Sequence, residues 1–363
     1  MALDRRGMVN AAIRHESTSL VPYGLRFEGG PDQPYGALGD LQNRLDAHYG
    51  SPAWRRRLRN YVEILPGAND RKFANAPQRA TRDLFGSIWR TDRHPVHLEK
   101  PALEGPSLGG YEFPDPHRFY DADWEPRTRE ALQACADRFT LGSIGFGVFE
   151  RSWALRGFHE VLMDAAAEPA FFADLIGAIA EHQMRLLDPV LALPFDGVLF
   201  SDDWSDQRGI MIGPDRWRTT IKPHVARLFA RARAAGKTVC LHSCGAVTEV
   251  IPDLIEIGLD VLESVQPEAA GMNPYALKQR FGDRLTFWGG LGSQSLIPNG
   301  TPSQLRAEID RLADEMARGG GYILSCAKPL QPDTPTANAV AVIEGFLAVG
   351  EADGRAAAET REP

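Results

Sequence analysis

Residues 196–245 read DGVLFSDDWSDQRGIMIGPDRWRTTIKPHVARLFARARAAGKTVCLHSCG, and this stretch decides the fold. It opens on a short apolar run, Gly197–Phe200, with the length and residue types of a buried strand. The pattern then predicts a helix at about 214–235, and Gly236 suits the position just past its C-terminus. A second apolar run at 238–242 ends directly on His242, Ser243 and Cys244. Strand, helix, strand at this spacing is a parallel pair joined by a crossover helix.

The same alternation extends outward in both directions. Upstream stand RFTLGSIGF (138–146), a helix at about 153–164 and a long helix from about 169 to 192 that starts at Pro169. Downstream come a helix at about 247–257, DVLESVQ (260–266), a helix at about 274–281 and RLTFWGG (284–290). A helix at about 301–318, with Thr301 as N-cap and Pro302 at its first position, precedes GYILSC (321–326). The last helix, at about 336–349, has Thr334 or Thr336 as its starting cap. Six strands are thus visible from residue 131 onward. Residues 1–130 are irregular and rich in Gly, Pro and aromatics, with a hairpin near DLFGSIWRTD (83–92) and room for two more strands. The count suits a single (β/α)8 TIM barrel over 1–350 with an irregular N-terminal extension, and a frayed tail at 351–363. No GxGxxG opens a helix after the first strand, which disfavours a dinucleotide-binding doubly wound sheet.

Composition narrows the function classes. The chain has 363 residues, 43% of them apolar, enough for a barrel-sized core. Its net charge of −8 argues against a nucleic-acid binder. The basic run WRRRLR (54–59) reads as a solvated helix face. The N-terminus has no apolar core of signal-peptide length, and no run of about 18 apolar residues suggests a membrane span. The four cysteines, Cys135, Cys240, Cys244 and Cys326, are few and scattered. That usage points to a reduced, cytoplasmic setting in which a thiol is available for metal or catalysis.

In a barrel, chemistry gathers at the C-terminal ends of the strands. The segments there are GFGVFERSW (145–153), SDDWSDQ (201–207), HSCG (242–245), QPEA (266–269), GGLGSQ (289–294) and SCAKP (325–329). His242 and Cys244 are two residues apart on an extended run, so they project to one side. A neutral imidazole and a thiolate both ligate zinc at roughly 2.0–2.3 Å. Cys326, at the end of the last strand, is the expected third ligand, and three protein ligands leave an open position for catalysis. Cys240 lies on the same side but deeper, as a core thiol. Asp202 and Asp203 are candidates for a general base or for a partner that orients His242, with an N-cap or a loop ion pair as the competing reading. Glu150 and Arg151 suit a clamp on a polar substrate, or a plain ion pair. Gln266 and Gln294 offer amide donors. Trp153, Trp204 and Trp288 would wall an apolar substrate or pack the core.

At these residues the chain resembles the uroporphyrinogen decarboxylase superfamily. The resemblance runs over roughly 8–350 and rests on RHESTSLVPYGLRFEGG, FERSWALRGFHEVLMD, DGVLFSDDWSDQRGIMIGPDRW, LHSCGAVTEVIPDLIEIGLDVLESVQPEA, FGDRLTFWGGLGSQSLIPNGTP and GGYILSCAKPLQPDTPTANAVAVIEGF. It implies a single (β/α)8 barrel and, as a frequent state of the family, a homodimer. One branch holds metal-free decarboxylases with an Arg-rich N-terminal loop. Here VPYGLRFEGG has Arg26 as its one arginine. The other branch holds zinc-dependent methyltransferases that work with corrinoid proteins, and their HxC matches His242 and Cys244. Their last cysteine would fall at Lys328, so either the loop presents Cys326 or Lys328 stands in the pocket as a cation. The resemblance therefore implies a zinc-dependent methyltransferase or demethylase acting on a small O-, N- or S-methyl compound. The acceptor is a thiol or a corrinoid carried by a partner protein, because no DxHxxG cobalt-ligating motif is present. The alternative is a metal-free decarboxylase of a small acid, with Lys328 and Arg151 holding carboxylates. A non-enzymatic ligand carrier is a third reading.

Overall fold

The apolar runs that precede the polar loops all become strands in the computed structural model, which describes residues 3–28, 40–67, 80–90 and 96–350. The expected tail at 351–363 lies outside these residues, as do Thr91 and Asp92 at the end of the expected hairpin. The chain divides into two units, a central one (Ile64–Cys135 and Thr140–Leu259) and a terminal one (Met1–Glu63, Ala136–Phe139 and Asp260–Pro363).

Strand β1 (Val62–Leu65) ends in the central unit. The expected hairpin is there, as β2 (Ala80–Arg82) and β3 (Ile88–Arg90), and β4 (His97–Lys100) makes it a three-stranded antiparallel sheet. Its turn is held by Asp83, which accepts the Ser87 N–H and the Trp89 indole N–H, both at 2.9 Å. Strands β5 (Phe139–Ile144), β6 (Gly197–Ser201) and β7 (Thr238–His242) then pair in parallel. Their residues are almost wholly buried, which is why they read as continuous apolar runs rather than alternating ones.

One helix boundary differs from the sequence reading. The single helix expected at 153–164 is two helices, α1 (Val148–Arg156) and α2 (Phe158–Ala167). Gly157 sits between them at φ +103°, a conformation that ends one helix and re-aims the next. Helix α3 (Pro169–Leu191) follows as expected. The helix expected at 214–235 begins as one turn at Pro214–Arg216, widens to a π-turn at Trp217–Ile221 and continues as α4 (Lys222–Ala234).

In the terminal unit β8 (Val261–Val265), β9 (Thr286–Leu291) and β10 (Tyr322–Cys326) pair in parallel and are fully buried. Helices α5 (Pro274–Phe281), α6 (Pro302–Arg311) and α7 (Thr336–Gly350) accompany them. Thr301 and Gln304 form a full capping box at the start of α6. Of the two extra strands expected in the irregular N-terminal part, β1 is one. The other is reduced to parallel bridges from Tyr23 to Leu324 and from Phe27 to Leu330. Pro22, which has no N–H to give, contributes only its carbonyl, to Leu324 at 2.9 Å. Both units are thus parallel α/β structure. Among the described residues, no helix is long and apolar enough to cross a membrane.

Candidate functional site

Strands β6 and β7 set the site in register. Ser201 lies opposite His242, and the Asp202 N–H donates to the His242 carbonyl at 3.0 Å. The chain leaves β6 through Asp202 and Asp203 and leaves β7 through Ser243 and Cys244. As the two-residue spacing predicts, His242 and Cys244 come together, with Cys244 Sγ 3.4 Å from His242 Nε2. Asp203 joins them. Its Oδ1 accepts the Cys244 backbone N–H at 2.8 Å and lies 3.8 Å from His242 Nε2. One donor atom from each of the three falls within 4.8 Å of the others, and all three residues are partly open to solvent.

The turn after Cys244 demands glycine. Gly245 has φ +84°, and a Cβ on it would lie 2.5 Å from the Asp206 carbonyl and 2.7 Å from Ser205 Oγ. Ser205 Oγ in turn donates to the Cys244 carbonyl at 2.7 Å. The loop from β6 therefore grips the loop from β7 on both sides of the thiol.

Asp202, the neighbour of Asp203, is spent on structure. It is buried and caps α1, accepting the N–H groups of Phe149 at 3.0 Å and Glu150 at 2.8 Å. It also accepts the Trp204 indole N–H at 2.6 Å. Burial pushes its carboxyl up to about 7, and the charge of Asp203 adds a little, while the three donors pull the other way. A Cβ on Gly147 would lie 2.3 Å from this carboxyl carbon, so only glycine lets the acid reach the helix end. Trp204 is fully buried and packs against Trp217 at 5.1 Å. Glu150 sits in the first turn of α1. Arg151 is 2% exposed, stacked at 3.8 Å on Phe85 and 4.9 Å on Phe146, with Asp83 at 3.6 Å. Burial lowers its pKa to about 10 against the pull of Asp83.

The remaining expected residues belong to the terminal unit. Arg26 forms an ion pair with Glu263 and lies 5.5 Å over the ring of Trp288. Glu263, on β8, is 1% exposed, and it went unremarked in the sequence although an acid inside the apolar run VLESV is itself a signal. Gln266 and Trp288 are buried, while the side chains of Gln294 and Lys328 are exposed. Glu268 organises the loop after β9, accepting the N–H groups of Gln294 at 2.9 Å and Ser295 at 3.1 Å. Cys326 ends β10, and burial pushes its thiol up to about 12 despite the opposing charge of Arg26.

Comparison with known proteins bears on this arrangement. The family model for uroporphyrinogen decarboxylase (URO-D) matches residues 130–346, more than half of the chain and every residue discussed above from Glu150 to Lys328. No curated protein matches the chain. Among solved structures, a methyltransferase from Methanosarcina mazei aligns with TM-score 0.67 at 16% identity, over 95% of this chain and 98% of that one. At that identity the likeness is one of fold. The chain belongs to the uroporphyrinogen decarboxylase (URO-D) family.

Proposed function

We propose that this protein is a zinc-dependent methyltransferase of (β/α)8-barrel fold, acting on a small methylated compound, with the metal held by Asp203, His242 and Cys244. The observation that carries the reading is the convergence of a carboxylate, an imidazole and a thiol at the ends of β6 and β7. The donor set fits the ion. Tetrahedral zinc with bonds of roughly 2.0–2.3 Å holds its ligand atoms roughly 3.3–3.8 Å apart; the imidazole lies 3.4 Å from the thiol and 3.8 Å from the carboxylate, and all three donors fall within 4.8 Å of one another. The set leaves a fourth position for substrate.

When bound, zinc supplies a Lewis acid that stabilises negative charge on a transferring or accepting atom. The chain's own groups prepare the place. His242 presents Nε2 toward both neighbours, so ligation requires its proton at Nδ1. Asp203 holds the backbone of Cys244 through Oδ1. Asp202 fixes the strand end from which Asp203 departs by tying it to α1.

The likeness of fold to a methyltransferase supports methyl transfer; the acceptor we propose is a thiol or a corrinoid on a partner protein. Decarboxylation needs cations that can reach a carboxylate. Arg151 is buried against Asp83, and Arg26 is paired with Glu263. These placements weigh against that alternative, for which exposed Lys328 would remain.

The test has two readouts. Protein purified without chelators should carry about one zinc per chain. Methyl-labelled O-, N- and S-methyl compounds should lose label to chemically reduced cob(I)alamin or to thiols. Absence of any transition metal after zinc reconstitution overturns the metal site. Carbon dioxide release at constant methyl count overturns the reaction.

A further inference from the structure

A second recess lies in the central unit, away from the Asp203–His242–Cys244 set in sequence and sharing none of its residues. It is an open groove of about 750 Å³ between β3, β4, the end of α1 and the start of α2. Three aromatic rings line it. Trp153 meets Trp89 at 5.9 Å and 66°, and meets Phe158 at 6.3 Å and 77°. Rings joined at such steep angles make a corner, not a stack, in which Trp89 is buried at 2% exposure and Phe158 is the ring open to a guest. Phe158 is 47% exposed and Val96, also on the groove, 36%. Both are among the few large apolar side chains that the described residues leave in water.

The charge around the corner has one prevailing sign. Among the described residues, Glu99, Glu104 and Glu160 line the groove, with the guanidinium of Arg156 and the imidazole of His97 beside them. Arg156 is already committed, donating to Asp164 at 2.8 Å. Lys100 meets Glu104 at 2.9 Å and the His159 imidazole lies 3.7 Å from Glu160, while Glu99 and Glu160 supply the groove's other carboxylates. A second copy of the same face would set these carboxylates against their own kind, and an anion would be repelled. An apolar cation satisfies both features at once, since aromatic faces attract positive charge and carboxylates neutralise it. The volume is that of a small-molecule site.

We propose that this groove binds a lipophilic organic cation, an ammonium group carried on an aromatic or branched alkyl body. The test uses the full-length protein and benzyltrimethylammonium, followed by titration calorimetry and by tryptophan fluorescence. Saturable one-to-one binding is expected, with Kd of about 1 mM or below. Phe158→Ala should weaken it about fivefold and Glu160→Gln about twofold. Both positions are exposed, so the variants should keep the circular dichroism spectrum and metal content of the parent. Benzylsulfonate, of similar size and opposite charge, should not saturate. Failure of the parent protein to bind the cation overturns the proposal. So does undiminished binding by Phe158→Ala, or binding of benzylsulfonate as tight as that of the cation.

Discussion

Two groups of parallel strands in this protein carry an acid and a thiol and treat them differently. At β8–β10, the acid and the base meet each other: Glu263 is buried and its charge is answered by Arg26. The thiol there, Cys326, is enclosed and held protonated by burial. At β6–β7, Asp203, His242 and Cys244 converge with no guanidinium or ammonium among them, and remain partly open to solvent. Burying charge is costly unless it is paired. The first set has settled that cost internally. The second brings a carboxylate, an imidazole and a thiol within 4.8 Å of one another at the surface. The difference teaches that a thiol near a strand end takes its character from its surroundings, enclosed at Cys326 and partly open beside a carboxylate and an imidazole at Cys244.

The largest effect should come from removing a donor of the open set. Cys244→Ser should lose most of the zinc and lower activity by about a hundredfold or more, and Asp203→Asn should lower metal affinity by about ten- to a hundredfold. Metal titration with a chromogenic chelator measures both. Full retention of zinc by Cys244→Ser would erase the distinction between the two sets. Next in size, Glu263→Ala should destabilise the fold by about 2–4 kcal/mol, because it leaves Arg26 partly buried without its partner. Thermal unfolding reads this. If the melting temperature holds while activity falls, Glu263 belongs with the chemistry and not with the packing.

A smaller effect concerns the acid that stands next to the open set. Gly147→Ala would drive a Cβ into the Asp202 carboxyl, so either α1 or the β6 loop must shift. A cost of about 1–3 kcal/mol is expected. Because Asp203 follows directly, zinc affinity should fall with stability. A loss of stability with unchanged affinity would show that the cap and the donor set are mechanically independent.

Much of this was legible in the sequence, for definite reasons. Period-2 geometry alone brought His242 and Cys244 together, and buried parallel strands announced themselves as unbroken apolar runs. Asp203 and Asp202 could not be told apart, because their roles depend on which one faces Gly147 and the first turn of α1. That is a contact between segments more than fifty residues apart in the chain. Arg151 looked like a substrate clamp since sequence gives charge but not enclosure, and Phe85, which covers it, comes from the irregular part. The break at Gly157 was missed because glycine in a helical pattern is often tolerated, and only the backbone angle shows that here it is not.

The smallest expected effect is the sharpest probe of the comparison, and it falls on Cys326. Sequence spacing offered this thiol as the third ligand, and the structure encloses it at the end of β10. It is 2% exposed, and its pKa, raised to about 12 by burial, keeps the proton on at neutral pH. Only a deprotonated cysteine ligates zinc, so a metal bound there would have to repay that desolvation. Cys326→Ala should therefore leave zinc content unchanged and cost about 1 kcal/mol or less, the loss of one small buried group. Native protein treated with a thiol reagent at mild alkaline pH should show one fast thiol, Cys244, since Cys135, Cys240 and Cys326 are buried. Bound zinc should protect that thiol, and chelation should expose it. Loss of zinc in Cys326→Ala, at unchanged stability, would mean that the enclosed thiol opens to the metal when the metal binds.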